Sequence, residues 1–379
     1  MAFLGDFERV LEFIKENSAH PLIQDAFVRS EISPLLIKDY ETFQFITPLT
    51  KQKLSQMHSA GTLLPLILAG GYVSKIFTSP GPVYNVKGER YEHYRFYKAL
   101  EAAGFMEGDI AVNAFSYHGS PAGDMADEAC EKCGCAVYPL GPADSEKGAE
   151  AILLINANAF IGTKTFLFKC LEKLGGSSRL EKAFLMAEKL TEDDKLTLFS
   201  DYGIKAYQAY GTAEAGLIAY ETAGERGMKA DTDTLFIEIL DPVDGKPAAE
   251  GETGEVVVTF MSETTPFIRL ATGDLSFIEN GRLAGVFGRT DSSVKFKGVF
   301  IHFWVFEKFC EEQRISGRLE IYNLSDGSDT MSLAVSSGDT DMIGAAFYNA
   351  FGLRLPEIKV DDTISVSSIN DIRKQLNRR

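Results

Sequence analysis

Tryptophan occurs once, histidine and cysteine five times each and proline thirteen times in 379 residues. An odd, low cysteine count argues against a disulfide framework. No apolar run approaches the roughly 20 residues that a bilayer span needs. The most apolar window, Thr62 to Val73, is short and is broken by Pro65, Gly70 and Gly71. Basic residues are outnumbered, 38 Lys and Arg against 54 Asp and Glu, for a formal net charge of -16. A surface this negative repels phosphate backbones and anionic lipid, so neither nucleic acid nor a membrane is an expected partner. Screening confines that field to about 10 Å, which still permits a local basic pocket for one small anion. The start carries Asp6, Glu8 and Glu12 where a secretory signal has a basic segment and an apolar core, so a cytoplasmic location is expected.

What remains is an ordinary globular composition, 45% hydrophobic and 24% charged, in a chain long enough for two to three domains. Cys130, Cys133 and Cys135 form C-x-x-C-x-C, a spacing that can ligate zinc if a fourth ligand comes from elsewhere. A second cysteine pair is missing. A helix over Pro121 to Gly134 and a strand from Cys135 to Pro139 would point the three thiols in different directions, as small buried hydrophobes.

From about residue 75 to 220 short apolar runs alternate with amphipathic stretches. Ile110 to Phe115, Cys135 to Leu140, Ala151 to Ile155, Ala183 to Ala187 and Lys205 to Ala209 read as strands. Tyr91 to Ala103, Pro121 to Gly134, Gly162 to Leu174 and Thr191 to Tyr202 read as helices. That alternation implies right-handed crossovers and a largely parallel sheet, with ligands beyond the carboxyl ends of the strands. After residue 220 the pattern turns to hairpins, with Leu235 to Leu240 and Glu255 to Phe260 as paired strands. Residues 1 to 60 read as mainly helical, with Phe7, Val10, Leu11 and Ile14 at helical spacing, packed on the outside. Residues 290 to 379 read as a small α+β module.

Gln208-Ala-Tyr-Gly-Thr-Ala-Glu214 leaves a predicted strand and puts a ring, a hydroxyl and a carboxylate close together. Tyr210 could stack on a planar base, Thr212 could donate to a phosphate oxygen, and Glu214 could hold a Mg²⁺ that bridges phosphates. Without further context the string is a tight turn with a surface glutamate. Thr272-Gly-Asp-Leu275 and Gly288-Arg-Thr-Asp291 follow. A carboxylate suits the hydroxyls of a ribose, and an arginine suits a phosphate or the same sugar.

In this order, and with Val294-Lys-Phe-Lys-Gly298 behind them, these strings resemble the AMP-forming adenylating enzymes, the acyl-CoA synthetase superfamily, and within it the phenylacetate-CoA ligase branch. Gly108-Asp-Ile-Ala-Val-Asn113, Phe115-Ser-Tyr-His118, Ala187-Glu188 and Glu250-Gly-Glu-Thr-Gly-Glu-Val256 add to the resemblance. It implies an α/β fold. A large N-terminal adenylation domain, residues 1–288, would join a mainly parallel sheet to a β-rich subdomain, and residues 289–379 would form a small α+β lid hinged at Asp291. It further implies that Tyr210, Gly211, Ala187 and Glu188 line the adenine pocket. Thr212 would touch the α-phosphate, Glu214 would bind Mg²⁺, and Asp274 and Arg289 would grip the ribose. Tyr117 and His118 fall near the acyl pocket, and a purely structural role for His118 stays open.

Two departures follow. The family's phosphate loop corresponds to Phe77-Thr-Ser-Pro-Gly-Pro-Val-Tyr84, where Thr78, Ser79 and Gly81 remain while Pro80 and Pro82 remove two N–H donors. Lys87 is the nearest cation. Near the terminus Asn370 and Asp371 stand where the family places glycine and a catalytic lysine. The resulting expectation is ATP-dependent activation of a carboxylic acid, aromatic by resemblance, as acyl-AMP, with Mg²⁺ as cofactor, CoA as a candidate acceptor and a homodimer left open. The competing expectation is a catalytically weakened accessory protein that binds a nucleotide or an acyl-adenylate.

Overall fold

The structure is a computed structural model that describes residues 3–79, 83–176, 178–242, 244–290, 293–296, 299–324 and 328–371. Pro80, Gly81, Pro82, Asp291, Lys297, Gly298, Arg373 and Lys374 therefore lie outside the described residues. The chain divides into two units. One comprises residues 1–272 and 276–286, the other 273–275 and 287–379.

The first unit opens with a short strand β1 (Phe3–Leu4) and five helices, α1 (Phe7–Glu16), α2 (Pro21–Ser30), α3 (Tyr40–Phe43), α4 (Lys51–Ser59) and α5 (Leu63–Gly70). Asp6 caps α1 by accepting from the Glu8 amide, and Val10 and Ile14 are its buried residues. A hairpin follows, β2 (Lys75–Ser79) against β3 (Val83–Lys87), with Thr78 opposite Tyr84. The expected helix from Tyr91 is confined to α6 (Tyr97–Ala102), because Tyr91 (φ 67°) and Arg95 (φ 60°) take left-handed backbone that a helix cannot contain.

The alternating region then builds as β4 (Ile110–Asn113), α7 (Ala122–Lys132), β5 (Ala136–Pro139), α8 (Ser145–Leu154), β6 (Ala159–Gly162), α9 (Lys164–Leu174), β7 (Lys182–Leu185), α10 (Glu192–Tyr202) and β8 (Lys205–Thr212). The strand expected at Ala151 to Ile155 is instead the end of α8. Asp144 caps that helix through the Lys147 amide, Ala149, Ala151 and Ile152 are buried while Leu153 and Leu154 face outward, and Asn156 at φ 54° closes it before β6. β8, β7, β6, β4 and β5 lie side by side in parallel. β9 (Gly216–Glu221) and β10 (Met228–Ala230) extend this sheet in antiparallel fashion. The next two strands, β11 (Leu235–Leu240) and β12 (Gly254–Phe260), form the expected hairpin of a second sheet, ordered β1-β11-β12-β13 with β13 (Phe267–Ser276). The nine-stranded sheet ends with β14 (Ile278–Glu279) and β15 (Arg282–Leu283).

Helices α1 to α3 bury Val10, Ile14, Ile23, Phe27 and Phe43 against Phe236 of β11 and Ile268 of β13. Beneath them lies an ion pair removed from water, with Arg269 bidentate to Glu238 at 3.0 and 3.1 Å and the Tyr40 hydroxyl donating to Glu238 at 3.1 Å. Cys130 and Cys135 occupy the two contact positions of the turn that ends α7, where the Cys135 amide donates to the Cys130 carbonyl at 2.9 Å across Gly134 (φ 78°). Their thiols consequently meet rather than diverge. The Cys135 thiol and burial together push the Cys130 thiol far up. No group of three or more His, Cys, Asp or Glu suited to a metal occurs among the described residues. Nor is any helix there long and apolar enough to cross a membrane.

The second unit contains β16 (Gly288–Arg289), the hairpin β17 (Ser293–Phe296) and β18 (Val299–His302), α11 (Phe303–Glu312), β19 (Gly317–Asn323), β20 (Asp329–Val335), α12 (Thr340–Phe351), β21 (Glu357–Val360) and β22 (Ser368–Asp371). Its sheet runs β21-β20-β19-β22, and alternate residues of the central strands, Leu319, Ile321, Met331, Leu333 and Val335, pack with Phe306, Phe309 and Phe347 of the helices. Asn370 and Asp371 sit in β22, parallel to β19 and opposite Glu320 and Ile321.

Candidate functional site

The loops leaving the parallel strands gather many of the residues singled out above at one edge of the sheet, the edge where such sheets bind ligands. After β4, the fully buried Asn113 side chain donates to the Tyr117 oxygen at 2.8 Å and to the Gly123 carbonyl at 2.9 Å, while its Oδ1 accepts from the Phe115 amide. Tyr117 in turn donates to Asp127 at 2.6 Å, and burial with that carboxylate pushes its phenol well above the usual range. His118 is exposed, with its backbone amide on Ser116 Oγ. The Thr78 amide of the β2–β3 hairpin donates to the Gly119 carbonyl at 2.8 Å, which joins the phosphate-loop stretch to this loop.

After β8 the chain does not enter a helix but folds straight back into β9, with Thr212 opposite Gly216 and a bulge between Tyr210 and Gly211. Two glycines are required here. A Cβ on Gly211 would lie 2.5 Å from the Gly216 carbonyl oxygen, and Gly216, at φ 65°, would put one 2.7 Å from the Tyr94 carbonyl oxygen. Tyr210 is buried and its hydroxyl bonds Thr272 Oγ1 at 3.0 Å, while Thr272 donates to the Val256 carbonyl at 2.8 Å. Thr212 Oγ1 accepts from the Ala215 amide at 3.1 Å, which leaves its own hydrogen to donate. Glu214 is buried. Its Oε2 makes no ordinary hydrogen bond among the described residues and is met by the ammonium of Lys51, the first residue of α4.

This turn is gripped from behind by Arg95, whose guanidinium is wholly buried. It donates to the Ala215 and Leu217 carbonyls at 2.6 and 3.0 Å, pairs with Asp231 at 2.7 Å and lies 4.6 Å over the Phe260 ring. Lys51, Arg95 and Asp231 escaped the sequence reading. The N-cap Thr50 could have put Lys51 at a helix start, but no local pattern could have put it on Glu214.

Ala187 follows β7 with φ 67°, a left-handed conformation costly for any residue with a Cβ. Glu188 points to α9, where its Oε2 accepts from the Thr165 amide at 2.8 Å. Glycine at position 187 is expected to raise the unfolding free energy by about 1 kcal/mol, as urea melts would register; a loss would mean that the alanine methyl packs productively.

Lys87 is not a free cation. It is 6% exposed, with Asp124 at 2.7 Å and Glu128 at 3.1 Å, and Asp124 also takes Lys75 from the other strand of the hairpin. Burial alone would raise the Asp124 carboxyl, but the two ammoniums outweigh it and hold it below the usual carboxylate range. Because the folded pKa is the lower one, the unfolded chain binds the proton more readily. The stability contributed by Asp124 is present above about pH 4 and is lost as the pH falls toward the depressed value. Asp124→Asn should therefore lower the melting temperature at pH 7 and flatten its decline below pH 4; parallel wild-type and variant melting curves across that range would contradict the assignment. In the second unit Asp274 and Arg289 face each other across β13 and β16, with a guanidinium nitrogen 2.7 Å from the carboxylate.

No family model matches the chain. The phenylacetate-coenzyme A ligase of Pseudomonas putida is 26% identical to it over 245 residues, 60% of this chain and 55% of that one. The enzyme of the same name from Escherichia coli K12 is 28% identical over 221 residues, 53% of this chain and 50% of that one. The chain thus spans about half the length of these curated relatives. Among solved structures, 2-hydroxyisobutyryl-CoA ligase in an open conformation with 2-HIB-AMP and CoA superposes with a TM-score of 0.73 at 17% identity, covering 97% of this chain and 89% of that one. ATP-bound MatB from Rhodopseudomonas palustris gives a TM-score of 0.51 at 13% identity over 81% and 67% of the two chains. The ordered Y-G-T-A-E, T-G-D-L and G-R-T-D strings, the hairpin turn that carries Glu214, and these relatives together identify the chain as a member of the AMP-forming adenylating superfamily, with phenylacetate-CoA ligases among its curated relatives.

Proposed function

We propose that this protein binds ATP and a carboxylic acid and joins them as an acyl-adenylate, with CoA accepting the acyl group in a second step. A carboxylate oxygen attacks the α-phosphorus and pyrophosphate leaves. The CoA thiolate then attacks the acyl carbon and AMP leaves. Neither displacement needs a strong base, so charge neutralisation and alignment carry the reaction. The observation that supports this reading best is Glu214, a buried carboxylate in a rigid turn whose Oε2 is satisfied by a cation and not by a hydrogen bond.

That residue fits a divalent ion, because one hard carboxylate oxygen already placed to face a cation is what Mg²⁺ takes from protein when phosphates supply the rest. Mg²⁺, when bound, neutralises phosphate charge. The chain's own part is to hold Glu214 in place through Arg95 and to fix the Thr212 oxygen on the Ala215 amide, so that its hydrogen can be donated to a phosphate oxygen. Ala187, Tyr210 and Gly211 are assigned to the base, Asp274 and Arg289 to the ribose, and Thr78, Ser79 and Gly81 to the outer phosphates. On this reading residues 1–288 are the adenylation domain and 289–379 the lid. The acid is aromatic, a reading supported by the names of the curated relatives.

A second reading, an accessory protein that binds nucleotide without turning it over, is favoured by Lys87. Both lysines of the phosphate-loop hairpin are spent, Lys87 on Asp124 and Glu128 and Lys75 on Asp124. Carboxylate-dependent pyrophosphate release from ATP, screened over aryl and alkyl acids, separates the two. Release with an aryl acid supports the enzyme, and tight nucleotide binding with no release for any acid supports the accessory protein. Under either reading Asp274→Ala should weaken ATP and AMP alike by about 1.5–3 kcal/mol, the worth of a charged hydrogen bond. Calorimetry showing loss for ATP alone would remove Asp274 from the ribose.

A further inference from the structure

Lys51 is in an unusual place for a lysine. It is the first residue of α4, whose opening turn contains no acid, so its charge sits at the positive end of the helix dipole. The chain leading to it is pinned. The Leu49 amide donates to the Arg269 carbonyl at 2.7 Å, the Ala271 amide donates to the Leu49 carbonyl at 3.0 Å, and Thr50 caps the helix through the Lys53 amide. Glu214, for its part, has a side chain only 5% exposed, where an unpaired carboxylate is costly. Each charge is unfavourable where it stands, and their contact offsets both. Lys51 itself keeps 31% of its side chain exposed, which leaves the ammonium a route to water.

We infer that Lys51 is a built-in counter-ion for Glu214, which closes that carboxylate to free divalent cations and makes metal loading conditional on withdrawal of the ammonium. The inference rests on the assignment of Glu214 as the metal-binding carboxylate. An ion bonded to a carboxylate oxygen at about 2.1 Å cannot share it with an ammonium already in contact, because the two cations would overlap and repel. The nucleotide-free protein therefore stays metal-poor. A metal already carried by nucleotide phosphates brings enough additional binding free energy to displace the lysine.

Mn²⁺ chloride is the probe, titrated without nucleotide into the full chain while free Mn²⁺ is counted by electron paramagnetic resonance. Lys51→Met removes the ammonium and keeps most of the stem; Lys51→Gln also removes the charge but leaves an N–H donor for the buried carboxylate, in case the methionine variant fails to fold. Either folded variant is expected to bind one Mn²⁺ about tenfold or more tightly than wild type. Adding Glu214→Gln should abolish that gain, and Lys51→Arg, which keeps the charge, should behave as wild type. A gain that survives Glu214→Gln overturns the inference. So does the absence of any gain in folded Lys51→Gln when Glu214→Gln alone weakens Mn²⁺–ATP binding. The absence of a gain when Glu214→Gln leaves Mn²⁺–ATP binding unchanged overturns the metal assignment of Glu214 and the inference with it.

Discussion

Arg269→Ala is expected to lower the unfolding free energy by about 3–5 kcal/mol, the cost of breaking a buried pair from one side. Glu238 is fully buried and would keep only the Tyr40 hydroxyl, so a carboxylate would face an apolar core without its counter-charge. The Gln44 and Ile46 carbonyls, which accept from Arg269 at 2.8 and 2.6 Å, would lose their donor as well. Urea unfolding monitored by circular dichroism measures the loss, and a change below about 1 kcal/mol would mean that water reaches Glu238 in the native state. Replacing both partners by apolar residues, Arg269→Met with Glu238→Leu, should cost far less than the single change, because no uncompensated charge is then left in the core. The site should respond too. Arg269 fixes Gln44 and Ile46 through its side chain and Leu49 through its carbonyl, and this is the stretch that delivers Lys51 to Glu214. The amides of α4 should accordingly exchange faster in Arg269→Ala under conditions where the rest of the sheet stays protected.

Much of this architecture is written locally. β4 and β7 are short, largely apolar runs with a helix on either side, and Thr163, Thr191 and Asp144 cap α9, α10 and α8 as side chains of their type do. Ala151 to Ile155 misled because five apolar residues in a row satisfy a buried strand and a buried helix turn equally, and only the Asp144 cap and the length of the segment distinguish them. Tyr91 and Arg95 broke an expected helix for a reason no window contains: Arg95 adopts left-handed backbone while its guanidinium binds carbonyls of β9 and its neighbourhood, far along the chain. The same holds at the site. Y-G-T-A-E is legible as a string because it is contiguous, but its turn geometry depends on Gly216 meeting Tyr94, and the buried Glu214 carboxylate takes its counter-ion, Lys51, from a helix 163 positions away in the sequence. The apparent availability of Lys87 was a product of reading one strand at a time, since its partners lie on α7.

Asp231→Ala should match the Arg269 variant in stability loss, about 3–5 kcal/mol, and exceed it in damage to the site. Asp231 is 3% exposed and accepts from Arg95 at 2.7 Å, from Lys98 at 2.7 Å and from the Thr234 hydroxyl at 3.0 Å. Without it, Arg95 retains a full charge with no carboxylate in contact, and burial already disfavours that charge. The guanidinium must then draw in water or leave, and either course releases the Ala215 and Leu217 carbonyls that it clamps. Those carbonyls flank the turn holding Glu214, so ATP affinity should fall by about tenfold or more even at temperatures where the variant remains folded. Arg95→Met alone should also be destabilising. Combined with Asp231→Ala, however, the total should fall short of the sum of the single losses by about 0.5–3 kcal/mol, because the second change removes the charge that the first left stranded. A strictly additive cycle would show that Arg95 and Asp231 do not act as a pair. Unaltered ATP affinity in folded Asp231→Ala would show that the turn keeps its shape without the clamp, and the rigidity of Glu214 would then have to come from Gly211, Gly216 and the Thr212 bond to the Ala215 amide alone.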